Sequence, residues 1–210
     1  MSFFELIYGA VFQPKKTFAS VGQEKPLAKC LLIFTLVLLL TELLWQGQLR
    51  SFGEVFLTDL EIPYNLSAES SYSMAIFQDI FLIMTVFFIL FSITVLFVQT
   101  GLLNLVGELL GGTGNAKGLL CALALATIPS LIISVLDTLI IMVGLPGFIS
   151  LVLALIGFLW IIILQILAVQ GALNLSMGRS IATALLPVIA LVIIILALVS
   201  SVLVVIFRAL

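Results

Sequence analysis

Five long apolar runs constrain this chain more than anything else in it: residues 27–45, 80–103, 119–143, 148–173 and 181–207. A helix crossing a bilayer needs roughly 20 predominantly apolar residues, because in hydrocarbon its backbone polar groups can be satisfied only within the helix. Each run has about that length. With 63% hydrophobic and 9% charged residues over 210 positions, the chain also lacks the polar surface that water requires. The expected fold is therefore all-α, a polytopic membrane helix bundle of five transmembrane helices. Outside the spans lie an N-terminal segment, 1–26, a connector, 46–79, and three short turns, which leaves no room for a separate catalytic domain. One membrane domain, 27–210, is expected. The opening "MSFFELIYGAVFQ" lacks the basic residues that begin a cleaved signal peptide, so the first span is expected to be retained.

Basic residues orient the bundle. Lys15, Lys16, Lys25 and Lys29 precede or open the first span, whereas the connector holds Arg50 against Glu54, Asp59, Glu61, Glu69 and Asp79. Cytoplasmic loops carry the excess of Lys and Arg, which places the N-terminus inside. Five crossings then put the C-terminus outside and both Lys117 and Arg179 inside. Trp45 falls at the outer end of the first span, where an aromatic belt would sit. The cysteines, Cys30 and Cys121, both fall near the inner ends of spans. They read as small apolar fillers rather than a disulfide, with reversible acylation as the minor alternative.

Two of the remaining segments are amphipathic. Leu49, Phe52, Phe56 and Leu60 recur at helical spacing, which suits a helix in the outer interface that ends before Pro63. Phe4, Tyr8, Val11 and Phe12 share a face ahead of Pro14, Lys15 and Lys16, which suits an in-plane helix on an anionic inner leaflet. Asn65 lies in a glycosylation-like triplet too short to carry weight.

The third run holds the most information. Ala122, Ala126, Ser130 and Ser134 repeat every four residues, the small-residue spacing that lets helix backbones approach closely in lipid. At roughly 100° per residue, Asp137 projects into the same arc, toward protein rather than lipid. Pro129 is expected to kink this helix, and Ser130 is placed to satisfy a carbonyl that the proline frees. An acid within a membrane costs at least roughly 2.5 kcal/mol, so it is a functional candidate by default. Glu42 and Asp79 fall in the same half of the bilayer, and no span interior carries a basic partner. Two readings stay open: a working trio of acids in an outward-facing cavity, or two interfacial acids beside a protonated structural Asp137. Gln165 and Gln170 sit about 140° apart on an ideal helix, so they read as separate interhelical hydrogen-bonders.

Other chemistry is thin. The chain contains no histidine, which removes His-based triads, proton shuttles and metal sites. No catalytic residues, metal ligands or cofactor are expected, and no basic patch suits nucleic acid. The glycine-rich "GELLGGTGNAKG", 107–118, invites a nucleotide-loop reading. A Walker pattern, however, needs glycine before the lysine and a hydroxyl after it, and Lys117 lies between Ala116 and Gly118. Nucleotide binding is therefore not expected, and Lys117 reads as an inner-turn anchor.

The run "LLNLVGELLGGTGNAKGLLCALALATIPSLI", with "FQPKKTFASV" before it and "ALNLSMGRSIATALLPVI" after the fourth span, resembles the Yip family of Rab/Ypt-interacting integral membrane proteins in its short prokaryotic form. The likeness lies in the glycine-rich inner turn, the lysine opening the third span, the alanine-rich helix with a central proline, and the short polar turn opening the fifth. It implies a five-span bundle with a cytoplasmic N-terminus and an opposite C-terminus. Eukaryotic relatives are associated with Rab GTPases and vesicle traffic through a longer cytosolic N-terminal region. The 26 residues ahead of this chain's first span do not match such a region, so the resemblance does not carry that role over.

Three classes of function remain. A non-enzymatic scaffold or accessory factor in membrane organisation or trafficking-like processes agrees with every feature. A small transporter or channel would use Asp137, Glu42 and Asp79, but needs the paired broken helices or inverted repeat that commonly mark such sites. An enzyme needs a nucleophile with its base, and Ser130, Ser134 or Asp137 without histidine or a metal falls short. The expected partners are the lipid bilayer and either other membrane proteins or a second copy, in a prokaryotic cytoplasmic membrane.

Overall fold

Segments with almost no polar side chains can satisfy their backbone in lipid only as helices, and four of the five apolar runs each lie within a single helix. A computed structural model describes the backbone of residues 1–59 and 69–209 and the side chains of 1–46 and 82–201. The helices are α1 (Phe3–Phe12), α2 (Pro14–Glu24), α3 (Leu27–Asp59), α4 (Glu69–Leu109), α5 (Ala116–Leu125), α6 (Ile128–Met142), α7 (Gly147–Leu173) and α8 (Met177–Ala209). No strand occurs among the described residues. Among the described residues, five stretches are long and apolar enough to cross a membrane: Leu27–Gln46, Leu82–Leu109, Ala116–Met142, Gly147–Leu173 and Met177–Ser201.

Three features differ from the pattern read in the sequence. First, α3 continues unbroken to Asp59, through the segment suggested as a separate interfacial helix, and α4 starts at Glu69, well ahead of residue 80. No proline interrupts 27–59, and each glycine within it costs only about 1 kcal/mol. Pro63 and Asn65, and the side chains of Arg50 and Asp79, lie outside the described residues.

Second, the third run is two helices, with a turn at Ala126 and Thr127 instead of a bend. Pro129 occupies the first turn of α6, where its missing N–H has no intrahelical partner to lose. Local hydroxyls hold the turn. Thr127 Oγ1 donates to the Ala124 carbonyl at 2.8 Å, and Ser130 Oγ donates to the Thr127 carbonyl at 2.7 Å.

Third, the N-terminal segment is a helical hairpin docked into the bundle. Ser2 and Glu5 form a capping box that starts α1, and Pro14 opens α2. One face of the hairpin is fully buried, with Leu6, Ala10, Phe18 and Val21 inaccessible, and α2 packs against α5 and α7. Phe4, Tyr8 and Phe12 point outward, the last two with ring centroids 4.9 Å apart. Val11, grouped with them by spacing, instead packs against the core. Burying Phe18 is worth on the order of 2–3 kcal/mol, which a helix lying loosely on a leaflet would not gain.

The core centres on α5, whose residues from Gly118 to Leu125 are all buried among α2, α3, α4 and α7. Both cysteines are free and inaccessible here, Cys30 on α3 and Cys121 on α5. At the periphery, α8 beyond Pro187 presents Ile, Leu and Val outward on all sides up to Ser201, as a hydrocarbon solvent permits.

Candidate functional site

Two polar centres stand out, one at each end of the bundle. The first is the glycine-rich turn. Helix α4 ends in a Schellman motif: Gly111 takes φ +86°, and the N–H groups of Gly111 and Gly112 donate to the carbonyls of Glu108 and Gly107. The Thr113 N–H and hydroxyl both donate to the Leu173 carbonyl, at 3.0 and 3.2 Å, closing the C-terminus of α7. Asn115 caps α5 by accepting from Gly118 N, and its amide donates to the carbonyls of Gly22 at 2.6 Å and Ala172 at 3.3 Å. Asn104 Oδ1 accepts from Asn115 N at 3.1 Å. A phosphate cradle needs free backbone N–H groups, and those of Gly111, Gly112, Thr113, Asn115 and Gly118 are engaged within the protein. The turn is a structural knot joining α2, α4, α5 and α7.

Basic residues gather at this end. Lys117 is exposed on the first turn of α5, and the Arg179 guanidinium lies against Gly111. Lys15 and Lys16 are exposed on the docked hairpin, while Lys29 donates to the Met1 carbonyl at 2.8 Å.

The second centre is a cavity of about 660 Å³ near the opposite end. Helix α7 fixes the geometry: Ser150 on its first turn lines the cavity, while Ala172 on its last turn meets the knot, about 30 Å away at 1.5 Å per residue. Thr41, Glu42 and Trp45 come from α3, and Ile133, Ser134 and Asp137 from α6. Phe88 of α4 and the first turns of α7 complete the wall. Two of these lining residues, Asp137 and Thr41, each carry a side-chain oxygen, Oδ1 and Oγ1, that is buried without a hydrogen-bond partner among the described residues. Such atoms are uncommon, because leaving one unsatisfied costs roughly 1–3 kcal/mol, and more for a charge.

The residues singled out by sequence divide between these regions. Asp137, Glu42 and Ser134 converge on the cavity. Ala122 and Ala126 are fully buried in the core, and Ser130 is half-buried at the break beside Pro129. Lys117 belongs to the knot end, and the Asp79 side chain lies outside the described residues. Thr41 and Ser150 escaped notice, because a lone hydroxyl in an apolar run usually bonds the preceding turn of its own helix. Asn115 escaped too, although an Asn just before an apolar run is a standard N-cap signal. Among the described residues, no group of three or more carboxylate or thiol side chains is placed to hold a metal ion.

Comparison with known proteins adds one result. Neither the curated proteins nor the solved structures offer a significant match. The family model described as the Yip1 domain matches residues 8–199, from the outward face of α1 to the far part of α8. A match over nearly the whole chain, on an all-helical architecture with five candidate spans, is decisive: the protein is an integral membrane protein of the Yip family.

Proposed function

We propose that this protein is a non-enzymatic scaffold or accessory factor in membrane organisation or trafficking-like processes. The observation that carries this reading is the docked N-terminal hairpin. The knot at Asn115 and the packing of α2 against α5 and α7 hold it to the bundle, and it presents Phe4, Tyr8 and Phe12 beside Lys15 and Lys16. Aromatic side chains next to lysines suit an anionic lipid interface or a membrane-protein partner. The absence of histidine supports a non-enzymatic role. The gathering of basic residues at the hairpin end supports a cytoplasmic N-terminus, with five crossings and the C-terminus opposite, and the likeness to the short prokaryotic form of the family supports a prokaryotic cytoplasmic membrane.

A second reading, a small transporter or channel, draws on the broken third span and the acid-lined cavity. One reconstitution separates the two. In anionic vesicles, the scaffold should alter vesicle size or tethering by light scattering, without proton or cation flux. Phe4→Ser with Phe12→Ser should weaken the effect. Flux that disappears in Asp137→Asn would sink the scaffold in favour of transport. For topology, impermeant labelling should reach Leu66→Cys only from outside and Ala116→Cys only from inside; the reverse pattern would refute the orientation.

A further inference from the structure

We propose that the cavity bounded by α3, α6 and α7 is a binding site for an ammonium group, carried either by a lipid headgroup or by a small soluble amine. The inference stands apart from the scaffold reading, and it requires nothing to cross the membrane.

The chemistry inside the cavity calls for a cation. Glu42 and Asp137 both line it, and no lysine or arginine does among the described residues. The described basic side chains nearest the bilayer lie at the knot end, about the length of α7 away. Asp137 Oδ1 and Thr41 Oγ1, both buried, have no partner among the described residues. A carboxylate oxygen can only accept, and no described side chain offers this one a donor, so a guest that donates would satisfy it. A protonated ammonium supplies several N–H donors and the opposite charge together. Burial of an uncompensated charge is strongly unfavourable, and such a guest removes that cost on both sides.

The wall selects an organic cation over a metal ion. Calcium takes six to eight oxygen ligands and magnesium an octahedral set, whereas among the described residues only two carboxylates line this space. Trp45 and Phe88 bring aromatic rings, whose faces attract alkylammonium groups. The volume, about 660 Å³, falls within the range of roughly 300–1,000 Å³ typical of small-molecule sites.

The mouth fits either source. Trp45, Phe88 and Leu151 are 57%, 48% and 63% exposed, so the cavity reaches the outer surface of the bundle between spans. Trp45 also stands near the end of the apolar part of α3, at the depth where lipid headgroups begin. Either amine can therefore enter by this opening.

The test uses Trp45 as the reporter. The chain has two tryptophans, so Trp160→Phe leaves Trp45 as the sole indole. In nanodiscs made only of phosphatidylglycerol at pH 7, titration with ethanolamine or choline should shift Trp45 emission saturably, while sodium chloride at equal ionic strength should not. Asp137→Asn and Glu42→Gln should each weaken the response roughly tenfold or more, as expected for losing a charge-assisted hydrogen bond. Nanodiscs of phosphatidylethanolamine decide the source. If they abolish the response to soluble amine, the lipid headgroup is the occupant; if they leave it intact, the occupant is a soluble amine. The proposal is overturned if no amine moves Trp45 in any disc, if sodium matches the amine, or if Asp137→Asn binds as tightly as the parent. Thermal unfolding of each variant accompanies the titration. Should Asp137→Asn fail to fold, Glu42→Gln decides under the same criteria.

Discussion

The side-chain amide of Asn115 donates to the backbone carbonyl of Gly22 at 2.6 Å, joining the turn after α4 to the end of α2 across 93 residues. The same amide reaches Ala172 on α7, while its oxygen caps α5. One side chain thus serves two jobs. Asn115→Ala loses both and should destabilise the protein by about 1–3 kcal/mol. Asn115→Asp keeps the oxygen that caps α5 and loses only the donors. Thermal unfolding in detergent, read with trypsin cleavage at Lys15 and Lys16, separates them. Asn115→Asp should melt between the parent and Asn115→Ala and expose the hairpin to trypsin. If it melted with the parent and resisted trypsin, the bond to Gly22 would have no part in docking α2.

Close backbone contact between α2 and α7 gives a second prediction. A Cβ built on Gly171 would sit 2.9 Å from Phe18 C and Ala19 N, both backbone atoms with no room to give. Gly171→Ala should therefore push α2 away, at a cost of roughly 1–3 kcal/mol for overpacking. Gly101, inside α4, has nothing within 4 Å of its hypothetical Cβ, and Gly101→Ala should stabilise by about 0.5–1 kcal/mol. Melting temperatures of the two variants should move in opposite directions. A drop in both would mean that helix propensity and packing are misassigned here.

These contacts show where sequence reading reaches its limit. The spans are legible because one local property, an apolar run of bilayer length, decides them. The meeting of Asp137 and Ser134 in one wall is legible because helical spacing places both in one arc. Their meeting with Thr41 and Ser150 is not, since it depends on how α3, α6 and α7 cross. The docking of α2 is hidden for the same reason: Gly22 and Gly171 are ordinary glycines until the two helices touch. The spacing of Phe4, Tyr8 and Phe12 marks an exposed face, but nothing local says that Leu6 and Ala10 on the other face bury against protein. Pro129 announces an interruption, and only the hydroxyl bonds of Thr127 and Ser130 make it a turn.

Acid should loosen the hairpin at its start. The Glu5 carboxyl accepts from Ser2 N at 2.6 Å, and this bond, with the one to the Ser2 side chain, holds its pKa below the ordinary 4.5. A carboxyl whose pKa is lower folded than unfolded adds stability that is present above 4.5 and is lost as pH falls through the folded value. The cap of α1 should therefore be intact at neutral pH and weaken below about 4.5. Amide hydrogen exchange of residues 3–6 should speed up across that window, beyond the intrinsic pH trend. Glu5→Gln should exchange faster already at pH 7 and show no such step; a step that survived in Glu5→Gln would assign the acid response to another group.

The buried thiols offer a direct reading of the core. Cys30 of α3 and Cys121 of α5 are both inaccessible, so a maleimide can reach either only when these helices separate. With a dye that fluoresces on reaction, the folded protein should stay dark at 25 °C and brighten in one transition on heating. The midpoint should coincide with the loss of Trp160 packing seen by intrinsic fluorescence, because Trp160 rests against the same core. Cys121→Leu places a larger side chain among the closely packed residues of α5 and should lower that midpoint, with overpacking costing roughly 1–3 kcal/mol. Prompt labelling of either cysteine in the unheated parent would show that the contact between α3 and α5 opens readily, and that α5 is not the packed centre of the bundle.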